Sequence, residues 1–225
     1  MTALSSDTLR ATARRYRPAG QFARHYVASK LRHDPATAAL LALGQAHHFG
    51  DVVDLGCGRG QFAAALLQAG LARRIIGVDC HAGHLAQARM AMGDLAFEAR
   101  QQDFAADQQV PEADTVLLID VLYQLTTAAQ SALLRNAAHA ARNRVIIRTA
   151  DPKRGTRSTV TRLLERSFRT AWPHAGSHVN ARLLPDMAAE LQQCGFESVV
   201  VPCWAGTPFS NVLMIAQRSG RKTAV

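Results

Sequence analysis

Residues 52–62 read VVDLGCGRGQF. A run of aliphatics carries an aspartate, Asp54, and three glycines then alternate with Cys57 and Arg59. Behind them GQFAAALLQAGL, residues 60–71, has the apolar spacing of a helix that ends near Gly70. A short buried strand that breaks at glycines and resumes as a helix lets the backbone close around a ligand at the strand's carboxyl end.

Working outward, residues 36–48 read as a helix ahead of this unit, and Asp51–Leu55 as its strand. RRIIGVD (73–79) is a second strand, HLAQARMAM (84–92) a helix, and Phe97–Asp103 a short third strand. DTVLLID (114–120) is a strongly apolar fourth strand, residues 127–142 an alanine-rich helix, and RVIIRTA (144–150) a fifth strand. Residues 177–196 contain a helix closed by Gly195, followed by ESVVVPCW (197–204) and NVLMIAQR (211–218). Strands alternating with helices predict a mostly parallel sheet covered on both faces. Only AGTPFS, residues 205–210, separates the last two strands, too few for a parallel crossover, so they should pair antiparallel at the sheet edge. Residues 1–35 and 151–180 stand outside the alternation and read as segments above the carboxyl edge, the first a helical lid. The domain proper then spans 36–218, with 151–180 as a substrate-side insertion and 219–225 as a disordered tail.

Two kinds of nucleotide compete for such a loop. A pyrophosphate-binding fingerprint is G-x-G-x-x-G, whereas here Gln61 stands where the third glycine should fall. Asp54, two residues before the first glycine, would repel a pyrophosphate. It would attract a ligand bearing an ammonium and a sulfonium, at roughly 4 kcal/mol per pair 4 Å apart in a surface-like dielectric before desolvation. The acid therefore favours S-adenosylmethionine over a nicotinamide dinucleotide.

Asp54-Leu55-Gly56-Cys57-Gly58-Arg59-Gly60 resembles motif I of the class I S-adenosylmethionine-dependent methyltransferases, and the similarity extends through most of the chain. It implies a Rossmann-like, doubly wound, seven-stranded α/β sheet with the antiparallel last pair. It also implies that Asp54, Gly56, Cys57, Gly58 and Gly60 hold the cofactor, whose product is S-adenosylhomocysteine. Asp79, with Cys80 beside it, matches the acid that binds the ribose hydroxyls, a geometry in which one carboxylate accepts two O–H donors. Gln102-Asp103-Phe104 matches the adenine site, and Asp120 the position facing the methyl group and acceptor. Alone, Asp79 would equally suit a helix N-cap and Asp103 an ordinary loop.

Methyl transfer from a sulfonium is an in-line displacement that needs alignment and, for a protonated acceptor, a base. Asp120-Val121-Leu122-Tyr123 matches the ends of the Asn/Asp-Pro-Pro-Tyr/Phe turn of nucleic-acid amino-methyltransferases but lacks both prolines. Pro202-Cys203 shares only composition with the nucleophile of cytosine-C5 enzymes, and no paired acids suggest a metal. Catalytic candidates are Asp120, Tyr123 and Asp151. Substrate candidates are Tyr16, Arg17 and Tyr26 in the first segment, and Arg148 and His178 around the second. Lys30 could pair with the cofactor carboxylate; Lys153, Arg154, Arg157 and His174 are further candidates for acceptor contacts.

A narrower similarity is carried by YRPAGQFARHYVASKLRHDP (16–35) and DVLYQL (120–125). They resemble methyltransferases encoded with bacterial aryl-polyene and xanthomonadin-type pigment pathways. That implies a phenolic acceptor, presented by an acyl carrier protein whose acidic surface would suit a basic rim.

Charge bears on the alternatives. The net charge is +9, and it divides into +5 over residues 1–50, −4 over 51–140, +7 over 141–170 and +1 beyond. Basic segments flanking an acidic centre suit a cationic ligand inside and an anionic partner outside. They also suit RNA or tRNA, although no RNA-binding module is recognisable. A cofactor-binding, non-catalytic partner subunit is a third reading. The four cysteines form no C-x-x-C pair, the first twenty residues carry no apolar signal region, and no run approaches the about 18 apolar residues of a membrane span. A reduced, cytoplasmic setting is the expectation, and the edge hairpin could pair two copies into a homodimer.

Overall fold

The computed structural model describes residues 6–152 and 180–220. The helices are α1 (Ser6–Arg15), α2 (Gln21–His33), α3 (Pro35–Ala46), α4 (Gln61–Gln68), α5 (Ala82–Met92), α6 (Thr127–Ala140) and α7 (Leu184–Gln193). The strands are β1 (Asp51–Leu55), β2 (Arg74–Asp79), β3 (Phe97–Gln101), β4 (Ala113–Ile119), β5 (Ala141–Ala150), β6 (Phe196–Pro202) and β7 (Asn211–Arg218). They form one seven-stranded sheet in the order β3-β2-β1-β4-β5-β7-β6. β1, β2 and β3 pair parallel, while β7 runs antiparallel to both β5 and β6. This is the Rossmann-like, mostly parallel seven-stranded sheet with an antiparallel last pair anticipated from the sequence. The order runs outward from β1 to β3 and resumes with β4 on the other side of β1. The switch of direction, where such sheets bind ligands, therefore falls beside the glycine loop.

The chain divides into two compact units. The first comprises residues 1–103 and 113–117. All five residues of β1 are buried, as a strand covered on both faces requires. Asp54 pairs in register with Gly77 of β2, and a Cβ at Gly77 would lie 2.6 Å from the Phe97 ring and 2.9 Å from Cys57 Sγ. Glycine is there because nothing larger fits. At the start of β1 the Asp51 carboxylate accepts from Arg73 Nε (2.7 Å) and Arg74 Nε (3.0 Å), which hold its pKa below the ordinary carboxylate range.

The described part of the first segment, residues 6–34, holds two helices in this unit. Pro18 and Gly20 (φ 97°) break the chain between α1 and α2, because proline restricts its predecessor and glycine alone tolerates that φ cheaply. Both helices pack against α4. Arg15 fixes α1 to the end of α5 through Nε to Ala91 O (3.1 Å) and Nη2 to Met92 O (2.9 Å). Asp34 ends α2 and caps α3, accepting from the Ala36 N–H at 3.0 Å, with Pro35 following.

The second unit comprises residues 104–112 and 118–225. Here the sequence pattern runs the alanine-rich helix too far: α6 ends at Ala140, and residues 141–143 are already strand, while β4 ends at Ile119 and β6 at Pro202, ahead of the expected Asp120 and Trp204. The alanine-rich pattern carries no stop signal. The stop comes from Arg218 of β7, whose Nη2 donates to Ala138 O (3.0 Å) and Ala141 O (2.8 Å) while its guanidinium lies 4.5 Å above the Phe196 ring. These late carbonyls are satisfied by a side chain some 80 residues away, where a C-cap glycine would usually serve. In the first unit β3 ends two residues early, at Gln101. The outer strand β6 exposes Val199, Val200 and Val201. Among the described residues no helix is long and apolar enough to cross a membrane.

Candidate cofactor site

The glycine loop is held largely by hydrogen bonds to the end of β2. Gly56, Gly58 and Gly60 all have positive φ, 75°, 57° and 72°. The N–H groups of Gly56 and Cys57 both donate to Val78 O, at 2.7 and 3.0 Å, and Gly60 N–H donates to Cys57 O at 2.9 Å. Gly58 N–H donates to Asp79 Oδ2 at 2.8 Å. Four loop N–H groups are thus spent internally, so the loop offers little of the N–H cradle a pyrophosphate needs. A Cβ at Gly60 would lie 2.8 Å from Met92 Cε and 3.3 Å from Ala88 Cβ, which makes this glycine the contact between α4 and α5. At Gly58 a Cβ would meet nothing within 4 Å, so space is open there.

Asp79 ties two loops together. Its Oδ2 accepts from Gly58 and its Oδ1 from His81 N–H, also at 2.8 Å. A carboxylate has about four acceptor positions, so each oxygen retains capacity for a hydroxyl donor. Cys80 is exposed, and its carbonyl accepts from Gln101 Nε2 at 3.2 Å. Cys57 is buried, and burial followed by the nearby Asp54 pushes its thiol up, so it stays protonated and unreactive. His84 stacks on His81 at 4.1 Å; burial, then Arg59, lowers it to about 4 and keeps it neutral.

Asp54 is 1% exposed, and its Oδ2 has no hydrogen-bond partner. Burial, with a smaller contribution from Asp79, raises its pKa to about 7. A buried carboxylate oxygen with no donor is costly in a finished fold and marks where an outside donor or cation would bind.

Arg59, absent from the residues singled out in the sequence, anchors α2 to the loop. It is 7% exposed. Its Nε donates to Gln87 Oε1 at 2.7 Å, and its guanidinium lies 4.6 Å from the Tyr26 ring centroid and 5.6 Å from that of Phe22. Tyr16 is fully buried and donates its hydroxyl to Arg59 O at 2.8 Å; burial pushes this phenol well above its usual range. Tyr16 thus supports the loop from behind, and Tyr26 stands over it. Lys30 Nζ lies 2.8 Å from Asp34 Oδ2, one helical turn away, and Arg17 is exposed at the end of α1. Asp103 is exposed just beyond β3. Only the position of Arg59 inside the glycine motif could have drawn attention to it. Arg59→Ala should cost about 2 kcal/mol of stability, from one charge-assisted hydrogen bond and a partly buried cation–π pair, read by urea unfolding.

In the second unit Asp120 is the only described non-glycine residue with positive φ, 61°. Arg148, 4% exposed, donates from Nη1 to Asp120 Oδ2 at 3.0 Å, and Asp120 N–H donates to Arg148 O at 3.2 Å. Gln124 Nε2 donates to Asp120 O at 2.6 Å, and Tyr123 O accepts from Asn180 N–H at 2.8 Å. Asp151 N–H donates to the carbonyl of the buried Ser210 at 3.0 Å, and Phe104 is buried. His174, His178, Lys153, Arg154 and Arg157 lie outside the described residues. Among the described residues no three His, Cys, Asp or Glu side chains gather as a metal site.

These features fit S-adenosylmethionine. Asp54 offers an unpaired buried carboxylate to a cationic group, Asp79 has acceptor capacity for ribose hydroxyls, and the loop leaves open space at Gly58.

Known proteins share the domain and the fold. Residues 52–144 match the profile of a family described as a methyltransferase domain. Magnesium protoporphyrin IX methyltransferase from Synechocystis PCC 6803, solved with bound S-adenosylhomocysteine, is 22% identical with a TM-score of 0.65, covering 95% of this chain and 97% of its own. An O-methyltransferase family protein from Burkholderia thailandensis is 19% identical (TM-score 0.64), covering 92% of this chain and 63% of its own. A Haloferax volcanii methyltransferase in complex with a methyltransferase activator is 15% identical (TM-score 0.66), covering 96% of this chain and 98% of that one. Among curated proteins none matches. The glycine loop and Asp54 lie inside the matched residues 52–144, a methyltransferase domain, and S-adenosylmethionine is the cofactor that the loop and the acid fit.

Proposed function

We propose that the methyl acceptor is a small molecule with an aromatic, phenolic head group, free or presented by an acyl carrier protein. One observation carries the reading: an aromatic pair stands over the glycine loop. Phe22 and Tyr26 are stacked with centroids 6.4 Å apart, both near Arg59, and Phe22 is 63% exposed. An exposed ring held against the cofactor loop is suited to receive a planar acceptor. Two of the structural relatives add support, being a porphyrin methyltransferase and an O-methyltransferase family protein.

S-adenosylmethionine supplies a methyl group already activated on a sulfonium, so this chain's residues need only orient the acceptor and take its proton. We assign the acceptor side to Asp120, Tyr123 and Asp151. Arg148 fixes the Asp120 carboxylate from behind, and the left-handed backbone at Asp120 tolerates Asp or Asn better than other side chains. Asp54, Asp79 and Asp103 hold the cofactor, with Phe104 against its adenine and Lys30 toward its carboxylate.

The test incubates the protein with methyl-labelled cofactor and, separately, a panel of phenolic acids, the same acids on a carrier protein, and total RNA. Labelling of a phenolic acid, lowered at least about tenfold in Asp120→Asn with cofactor affinity unchanged, is expected. Label entering RNA alone would replace this reading with an RNA methyltransferase, the alternative that a sequence pI near 10.2 invites. Cofactor binding with no acceptor labelled would favour a non-catalytic partner subunit.

A further inference from the structure

The first unit contains a cleft of about 530 Å³ between α1 and α2 that the methyl-transfer reading does not use. Five arginines, Arg10, Arg14, Arg17, Arg24 and Arg32, line it together with His25. Arg10 makes one exposed pair with Asp7 at 3.6 Å. Arg14, Arg17, Arg24 and Arg32 make no ion pair among the described residues. No acidic side chain lines the cleft, so nothing within it offsets the mutual repulsion of five guanidinium groups.

The clustering follows from helix geometry. On α2, residues 24, 25, 28 and 32 fall on one face, the buried Ala23, Val27 and Leu31 on a second, and Phe22 and Tyr26, which meet Arg59, on a third. On α1, residues 9, 10, 13 and 14 share one face with Thr12 buried behind, and Arg17 joins them from the turn that follows, past the buried Tyr16. The cleft therefore opens on a different side of α2 from the glycine loop.

We infer that this cleft is an anion site for a compact phosphate-bearing ligand, a small molecule with two or more phosphate groups. Guanidinium forks match phosphate oxygens bidentately. The volume lies in the range of small-molecule pockets, whereas a protein partner would need a broader face. No Phe, Tyr or Trp lines the cleft, and the one ring there, His25, falls short of the row of stacking platforms on which single-stranded RNA binds. Small apolar residues, Leu9, Ala13 and Ala28, complete the lining and leave the polar recognition to the arginines. This inference goes beyond the proposed function and stands whatever the methyl acceptor is.

The experiment is isothermal titration of the whole protein with inorganic tripolyphosphate, in the presence and absence of S-adenosylhomocysteine. Binding that weakens with added salt, falls roughly a hundredfold in Arg14→Gln/Arg24→Gln, and persists in a control double variant, Arg89→Gln/Arg135→Gln, is expected. Circular dichroism and S-adenosylhomocysteine binding verify that each variant is folded. Tripolyphosphate that does not bind, or that binds the cleft variant as well as the parent, overturns the inference. So does a 12-residue oligouridine, or an acidic peptide of equal charge, that binds through Arg14 and Arg24 more than about tenfold tighter, since the cleft would then serve a macromolecule.

Discussion

Asp54→Asn is expected to weaken binding of S-adenosylmethionine and S-adenosylhomocysteine by about a hundredfold or more while making the cofactor-free protein more stable at alkaline pH. The first effect follows from removing one member of a buried pair, which costs about 3–5 kcal/mol when the other charge is left uncompensated. The second follows from linkage. Asp54 sits at about 7 in the folded chain against an ordinary value of 3.8, so folding disfavours its ionised form. A raised carboxyl leaves stability whole below about pH 4 and erodes it as the pH climbs toward 7. The full cost above that is roughly 4 kcal/mol as an upper limit. Asparagine carries no such charge, so the stability difference between variant and parent should grow from pH 4 to 7 and then level. Cofactor uptake carries the same signature with the opposite consequence. A cation beside Asp54 stabilises its ionised form, so uptake should release up to one proton near neutrality. Affinity should then fall up to about tenfold per pH unit below 7. Calorimetry in buffers of differing ionisation enthalpy reads the proton directly. An Asn variant that binds the cofactor as tightly as the parent would remove Asp54 from the site.

Gly77→Val is expected to destabilise the fold by about 3 kcal/mol or more and to abolish cofactor binding with it. A Cβ there would sit 2.6 Å from Phe97 Cζ and 2.9 Å from Cys57 Sγ, in the middle of β2 opposite Asp54. Overpacking of this kind forces neighbours off their rotamers. Phe97 on β3 is the more yielding neighbour because it is only half-buried, whereas Cys57 is fixed within the glycine loop. Gly77→Ala should therefore be partly rescued by Phe97→Ala, with coupling between the two sites in a double-mutant cycle. Urea unfolding provides the measurement. Full stability of Gly77→Val would mean that β2 and β3 lie farther apart than described.

The two variants bear on different kinds of knowledge. Motif I, the acids at the ends of the strands and the antiparallel last pair are all legible from spacing. β1 and β7 fall at the boundaries the apolar pattern assigns, Asp51–Leu55 and Asn211–Arg218. Each of these features depends on residues close in sequence, where periodicity and glycine or proline punctuation operate. Where local punctuation was missing, as at the end of α6, the pattern ran too long because the capping group, Arg218, comes from β7.

Sequence alone determined the alternation of strands and helices, the glycine loop and the presence of an acid at position 54. Tertiary structure decided what those residues do: that one oxygen of the buried Asp54 carboxylate is left without a donor, that Tyr16 is a support buried under Arg59, and that five arginines from α1, α2 and the turn between them line one cleft. Spacing along a chain fixes which side chains share a face. Which faces then meet is set by the docking of α1 and α2 on α4, and burial, pairing and charge follow from that contact.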